Sequence, residues 1–262
     1  MEAKTKENWA SGDAYDRFMG RWSRLIAPQF LSWLSPKHQV RWLDVGCGSG
    51  VLSEAIIRHY EPVELIAVDQ SEGFLATARR RLTHGAICKV GNAFALPVET
   101  SSIDYTVSAL LLNFLPAPEK ALTEMTRVTA KSGTVAAYVW DYAGKMELLN
   151  FFWDEAVKVD PNAAKLHEAN RFPQCNPDDL SSLFVRAGLK DVDTAALAIT
   201  TRLADFADYW EPFLGGQGPA PTYLMEMEAS ARTRLRTQLE ARLGHNSICL
   251  YARAWAVKGD IK

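Results

Sequence analysis

The chain has 262 residues, 48% of them apolar, and a formal net charge of -2. That length holds one sizeable domain with insertions, or two small ones, with apolar residues enough for a real core. The near-neutral charge argues against nucleic-acid binding, the absence of any run near the roughly 20 apolar residues of a membrane span argues against insertion, and the opening "MEAKTKENWASGD" lacks the layout of a signal peptide, so a cytoplasmic protein is expected.

Read along the chain, Val40 to Trp140 alternates short apolar runs with amphipathic ones, the mark of β-α units building a parallel sheet. Strands are predicted at Val40 to Val45, Val63 to Asp69, Ile87 to Gly91, Ile103 to Ala109 and Thr134 to Asp141, with helices at Gly50 to Tyr60, Gly73 to Leu82 and Pro118 to Thr129. The last helix is expected to end on the glycine of "KSG". The run Arg79-Arg80-Arg81 falls in a helical pattern and reads as a solvated face. Residues 142 to 177, rich in Phe, Trp and Asn, read as a helical insertion over the sheet. Order resumes with Asn176 as N-cap, Pro177 at N1, a helix, a stop at Gly188 and a strand. A second insertion, about residues 204 to 245, carries "WEPFLGGQGPAPTY", in which "FLGGQGPAP" cannot be helix interior and reads as loop. A long helix follows, with Glu226 and Glu228 early and arginines late. "SICLYARAWAVKG" is the final strand. The expected organisation is a helical cover (1–35), a core (36–141), a helical lid (142–177) and completion of the sheet with a second insertion (178–262). Four cysteines and five histidines stand far apart without C-x-x-C or H-x-x-x-H, so no disulfide framework or metal site is expected.

Chemistry concentrates in "RWLDVGCGSGVLSE". The glycines Gly46, Gly48 and Gly50 give G-x-G-x-G, one residue short of the dinucleotide fingerprint. Asp69, ending the next strand, can accept from both hydroxyls of an unphosphorylated ribose, which points to an adenosine derivative. Asn92, after the third strand, can accept from an exocyclic amine of adenine.

Together "LDVGCGSG", "IAVDQS", "GNAFALP", "SIDYTVSALLLNF" and "EMTRVTAKSGTV" resemble the ordered motifs of class I S-adenosylmethionine-dependent methyltransferases, in the small-molecule branch of the ubiquinone/menaquinone type. The resemblance implies an α/β, Rossmann-like, doubly wound sheet of seven mostly parallel strands, the last antiparallel, with helical lid insertions. It implies S-adenosyl-L-methionine as cofactor and methyl transfer to an O, N or C atom of a small, partly apolar metabolite. Carried over by position, Asp44, Gly46, Gly48 and Gly50 would approach the methionyl part and ribose, Asp69 would hold the ribose, Gln70 would flank the adenine, and Asn92, Ala93 and Phe94 would meet its edge and face. Asn92 stands where the family usually has aspartate, which keeps the acceptor and loses the charge. "YDRFMGRWSR" resembles a segment that covers the cofactor, making Tyr15, Arg21 and Trp22 candidates for the methionyl carboxylate and the lid. Asp141, Tyr142 and His167 are the candidate bases; Asn113, Trp153 and Trp210 are candidate substrate-lining residues. A cofactor-binding protein without methylation, or a nicotinamide oxidoreductase, are the competing readings. Small-molecule substrate, no nucleic acid and no membrane are the expected partners.

Overall fold

The computed structural model describes residues 12–215 and 218–262, and the side chains of residues 14 and 15 lie outside that description. Helices α1 (Gly12–Phe18) and α2 (Gly20–Leu34) precede β1 (Arg41–Val45), α3 (Val51–Tyr60), β2 (Glu64–Asp69), α4 (Glu72–Leu82) and β3 (Ile87–Val90). There follow β4 (Ile103–Ala109), α5 (Pro118–Val128), β5 (Thr129–Trp140), α6 (Glu147–Val159), α7 (Glu168–Arg171), α8 (Pro177–Arg186) and β6 (Lys190–Leu203). The chain closes with α9 (Phe206–Trp210), α10 (Pro219–Glu226), α11 (Ala229–Leu243) and β7 (Ile248–Asp260).

The strands form one seven-stranded sheet in the order β3-β2-β1-β4-β5-β7-β6. All run parallel except β7, which pairs antiparallel with both β5 and β6. Central strands have helices on both faces and are apolar nearly throughout; β1 buries Trp42 to Val45 and β2 buries Leu65 to Val68. Strand order reverses between β1 and β4, and in open α/β sheets a ligand crevice opens beyond the carboxyl ends at such a point.

The expected strands and helices of the first half are present within a residue or two, except that β5 begins five residues before the expected Thr134, and one correction goes with it. The glycine of "KSG" does not end a helix. α5 stops at Val128, where the Thr129 hydroxyl donates to Met125 O at 2.6 Å, and the chain passes directly into β5. Gly133 serves an irregularity in the β4–β5 register, because a Cβ there would lie 2.7 to 2.9 Å from Thr129 Cγ2, Asp104 O and Ala130 O.

Both insertions leave the carboxyl ends of parallel strands, β5 and β6, and pack on each other. Phe152 stacks on Phe213 with ring centres 4.7 Å apart, Tyr209 Oη donates to Leu148 O at 2.9 Å, and Arg242 pairs with Glu155 at 3.0 Å. Asn176 caps α8 as expected, its Oδ1 accepting from Asp179 N at 2.9 Å. Two readings of the second insertion are corrected. "PAP" is not loop: Pro219 and Pro221 sit in the first turn of α10, where a missing N–H costs no helical bond. The long helix is two, so Glu226 ends α10 and does not act on the α11 dipole, while Arg242 does lie in the last turn of α11. No helix among the described residues is long and apolar enough to cross a membrane.

Candidate cofactor site

The β1–α3 turn is set by backbone bonds: Gly46 N and Cys47 N both donate to Val68 O, at 2.8 and 3.0 Å, which ties the turn to β2. Gly46 has φ of 70°, and a Cβ there would lie 2.6 Å from Leu111 Cδ2, so only glycine admits both the conformation and the neighbour. Gly48 N donates to Asp69 Oδ2 at 2.9 Å and Ser71 N to Asp69 Oδ1 at 2.8 Å. These bonds fix the carboxylate at the cavity wall, and its roughly four lone-pair positions exceed its backbone donors.

The turn, the β2 end and the β4 end enclose a cavity. Its polar end is Asp69, Gln70 and Ser71; its apolar end is Leu110, Leu111, Phe114 and Tyr138. No lysine or arginine among the described residues lines it. Burial raises the Asp69 carboxyl above its usual range, opposed by backbone bonds from Ser71, Gly48 and Gln70. Behind the turn, Asp44 is fully buried. Its Oδ2 accepts from the Ser53 hydroxyl at 2.7 Å, and no partner meets Oδ1 among the described residues. Burial pushes its carboxyl up to about 7, the Ser53 bond opposing and the Asp69 charge adding.

These residues fit an S-adenosyl ligand. A ribose diol needs acceptors, as Asp69 provides, and the lining offers no cationic side chain to a 2′-phosphate.

Of the residues predicted from sequence, Asp44 lies behind the turn outside the lining, while Gly46, Gly48, Asp69 and Gln70 line the cavity. Gly50 does not. Its left-handed backbone starts α3, and a Cβ there would press on Ala78 and Leu82 of α4 at 3.2 to 3.3 Å, so its role is packing. Asn92, Ala93 and Phe94 stand outside the lining, and Asn92 Oδ1 accepts from Phe94 N at 2.9 Å in its own turn. The Tyr15 side chain is outside the described residues. Arg21 turns away and binds Asp208 with both nitrogens, at 2.7 and 2.9 Å. Trp22 is in the core. The cavity-facing residue of that segment is instead Ser23, buried, with no partner for its hydroxyl among the described residues. Only its neighbours in "GRWSR" attracted notice, because serine carries no charge or ring to mark it.

The candidate bases are engaged elsewhere. Asp141 accepts from Arg253 Nε at 2.8 Å and Gly144 N at 3.0 Å, which closes the turn after β5. Tyr142 is buried beside Phe172, with ring centres 5.6 Å apart. His167 caps α7, its Nδ1 accepting from Ala169 N at 3.0 Å, and burial lowers its pKa. Trp153 is fully buried with Nε1 on the Glu168 carboxylate, and Trp210 is buried against Phe206; both are packing residues of the insertions. Asn113 is buried between cavity residues Leu111 and Phe114, with neither amide atom partnered among the described residues. No cluster of three or more His, Cys, Asp or Glu among the described residues could hold a metal.

Strand order, glycine turn and the carboxylate at the β2 end define a Rossmann-like domain for a nucleoside cofactor with a free ribose diol. Residues 43–137 match the family described as "Methyltransferase domain". The chain is 33% identical over 130 residues to a malonyl-[acyl-carrier protein] O-methyltransferase of Halorhodospira halophila, covering 48% of this chain and 44% of that protein. It is 31% identical over 118 residues to a chloroplastic 2-methyl-6-phytyl-1,4-hydroquinone methyltransferase of Oryza sativa subsp. japonica, covering 45% of this chain and 36% of that one. The chain thus spans less than half the length of these relatives. A phosphoethanolamine N-methyltransferase of Haemonchus contortus, solved with S-adenosyl-L-methionine, superposes with TM-score 0.55 at 15% identity, over 89% of this chain and 52% of that one, and shows the same fold.

Proposed function

We propose that the chain transfers a methyl group from S-adenosylmethionine to an oxygen, nitrogen or carbon atom of a small, partly apolar metabolite, as a cytoplasmic enzyme of the ubiquinone/menaquinone type. The observation that carries this is the two-ended cavity, with acceptors at Asp69 and Gln70 and an apolar wall at Leu111, Phe114 and Tyr138. The bound cofactor supplies an electrophilic sulfonium methyl. Asp69 would hold the ribose hydroxyls, and the bare backbone at Gly46 and Gly48 would let the cofactor lie against the turn. The apolar wall would exclude water and align the acceptor. Such alignment is worth up to about 7–11 kcal/mol in the best intramolecular models, and an acceptor that arrives deprotonated, or an amine that loses its proton to bulk water after transfer, balances the in-line displacement without a dedicated base. With Asp141 held by Arg253, orientation is the reading we favour over general-base catalysis. The name of the phytyl-hydroquinone methyltransferase supports a metabolite-type acceptor with an apolar part.

Methyl-labelled cofactor, incubated with the protein and a panel of hydroxyl, amine and quinol acceptors, tests the proposal. Label is expected in at least one product. Tight S-adenosylhomocysteine binding with no product across the panel would favour a binding protein on the same fold.

A further inference from the structure

Ser49 lies between Gly48 and Gly50 at the cavity wall and is 3% exposed. Its hydroxyl donates to Asp16 Oδ1 of α1 at 2.7 Å, while Arg81 of α4 donates to Ser49 O at 2.6 Å and to its hydroxyl at 3.0 Å. Arg81 Nη2 pairs with Asp16 Oδ2, and Arg81 Nε faces Glu54 at 3.5 Å. The Arg81 and Asp16 side chains are only 15% and 16% exposed. The adjacent ion pair between the same two helices, Arg80 with Asp13, is 61% and 63% exposed and does not touch the turn. Arg81 therefore leaves the solvated face on which its two neighbours remain.

A turn with glycines at positive φ on both sides of Ser49 loses much conformational freedom when a ligand fixes it. Anchoring its central peptide beforehand removes part of that cost from binding. We propose that Arg81 and Asp16 are positioning residues that clamp the Ser49 peptide, presetting the turn for the cofactor and making the docked α1 part of the cofactor site. The clamp acts through the turn, so it rests on the cofactor reading above.

The test measures amide hydrogen exchange of residues 46–50 in the ligand-free protein and titrates S-adenosylhomocysteine calorimetrically, in wild type, Arg81→Ala, Asp16→Asn and Arg80→Ala. Arg81→Ala is expected to speed exchange in the turn and to weaken binding about tenfold, the size of a lost charge-assisted bond. Asp16→Asn should shift both in the same direction by less, and Arg80→Ala should stay within about twofold of wild type. A folded Arg81→Ala within twofold on both readings would overturn the proposal, as would an Arg80→Ala loss equal to it, since that would reduce the effect to docking of α1. Should Arg81→Ala not fold, Asp16→Asn against Arg80→Ala decides by the same comparison. A wild type that bound no S-adenosylhomocysteine would defeat the cofactor reading, and exchange would still decide whether the clamp exists.

Discussion

At Asp69 and Asp44, burial acts on two carboxylates of neighbouring strands with different results. Asp69 keeps backbone donors at Gly48, Gln70 and Ser71 and lines the cavity. Asp69→Ala removes the ribose acceptor and is expected to weaken S-adenosylhomocysteine binding by roughly 2–3 kcal/mol in calorimetry; a folded variant with unchanged affinity would take the carboxylate out of the site. Asp44 has one donor and a carboxyl pushed from 3.8 to about 7. Between those values the folded chain retains a proton that the unfolded chain has released, so stability falls as pH rises through the window and levels off above it. Asp44→Asn should therefore be more stable than wild type at pH 8, by up to about 4 kcal/mol, and the difference should shrink toward pH 4 in urea unfolding. A difference independent of pH would contradict the assignment. Asp69 was legible in the sequence because a strand end and a residue type fix it together. Arg21 was not: its partner, Asp208, belongs to a segment 187 positions away, and local pattern cannot report such a meeting.

At the scale of elements, periodicity and glycine placement located the β-α units because each signal is local. They failed where a neighbour decides the glycine's purpose. Gly133 looked like a helix stop, yet the surfaces that forbid a side chain there belong to Asp104 and Ala130 as well as Thr129. Gly133→Ala is expected to cost about 1–3 kcal/mol by overpacking, read as a lower urea midpoint with little change in slope. An unaffected midpoint would show that the β4–β5 irregularity yields easily. The aromatic residues of "NFFWDEAV" follow the same lesson. Their spacing announced a helix with an apolar face, and the structure spends Phe152 and Trp153 on joining the two insertions, with Phe152 stacked on Phe213.

Across the whole molecule, the sheet brings the site's glycines, acids and apolar wall to the carboxyl ends of β1, β2 and β4, on either side of the reversal in strand order. The cofactor end was readable because ordered motifs recur at fixed places along β-α units. The acceptor end was not, because Ser23, Phe114 and Tyr138 come from a helix, a short 3-10 turn and a strand that only the fold brings together. The fold hosts many chemistries, so the site has to carry the argument for function. Its central claim is that this cavity takes a cofactor with ribose hydroxyls and no phosphate. Calorimetric titration of the wild-type protein with S-adenosylhomocysteine and, separately, with NAD tests that claim directly. The account predicts saturable one-to-one binding of S-adenosylhomocysteine and no heat from NAD; NAD binding without S-adenosylhomocysteine binding would contradict it.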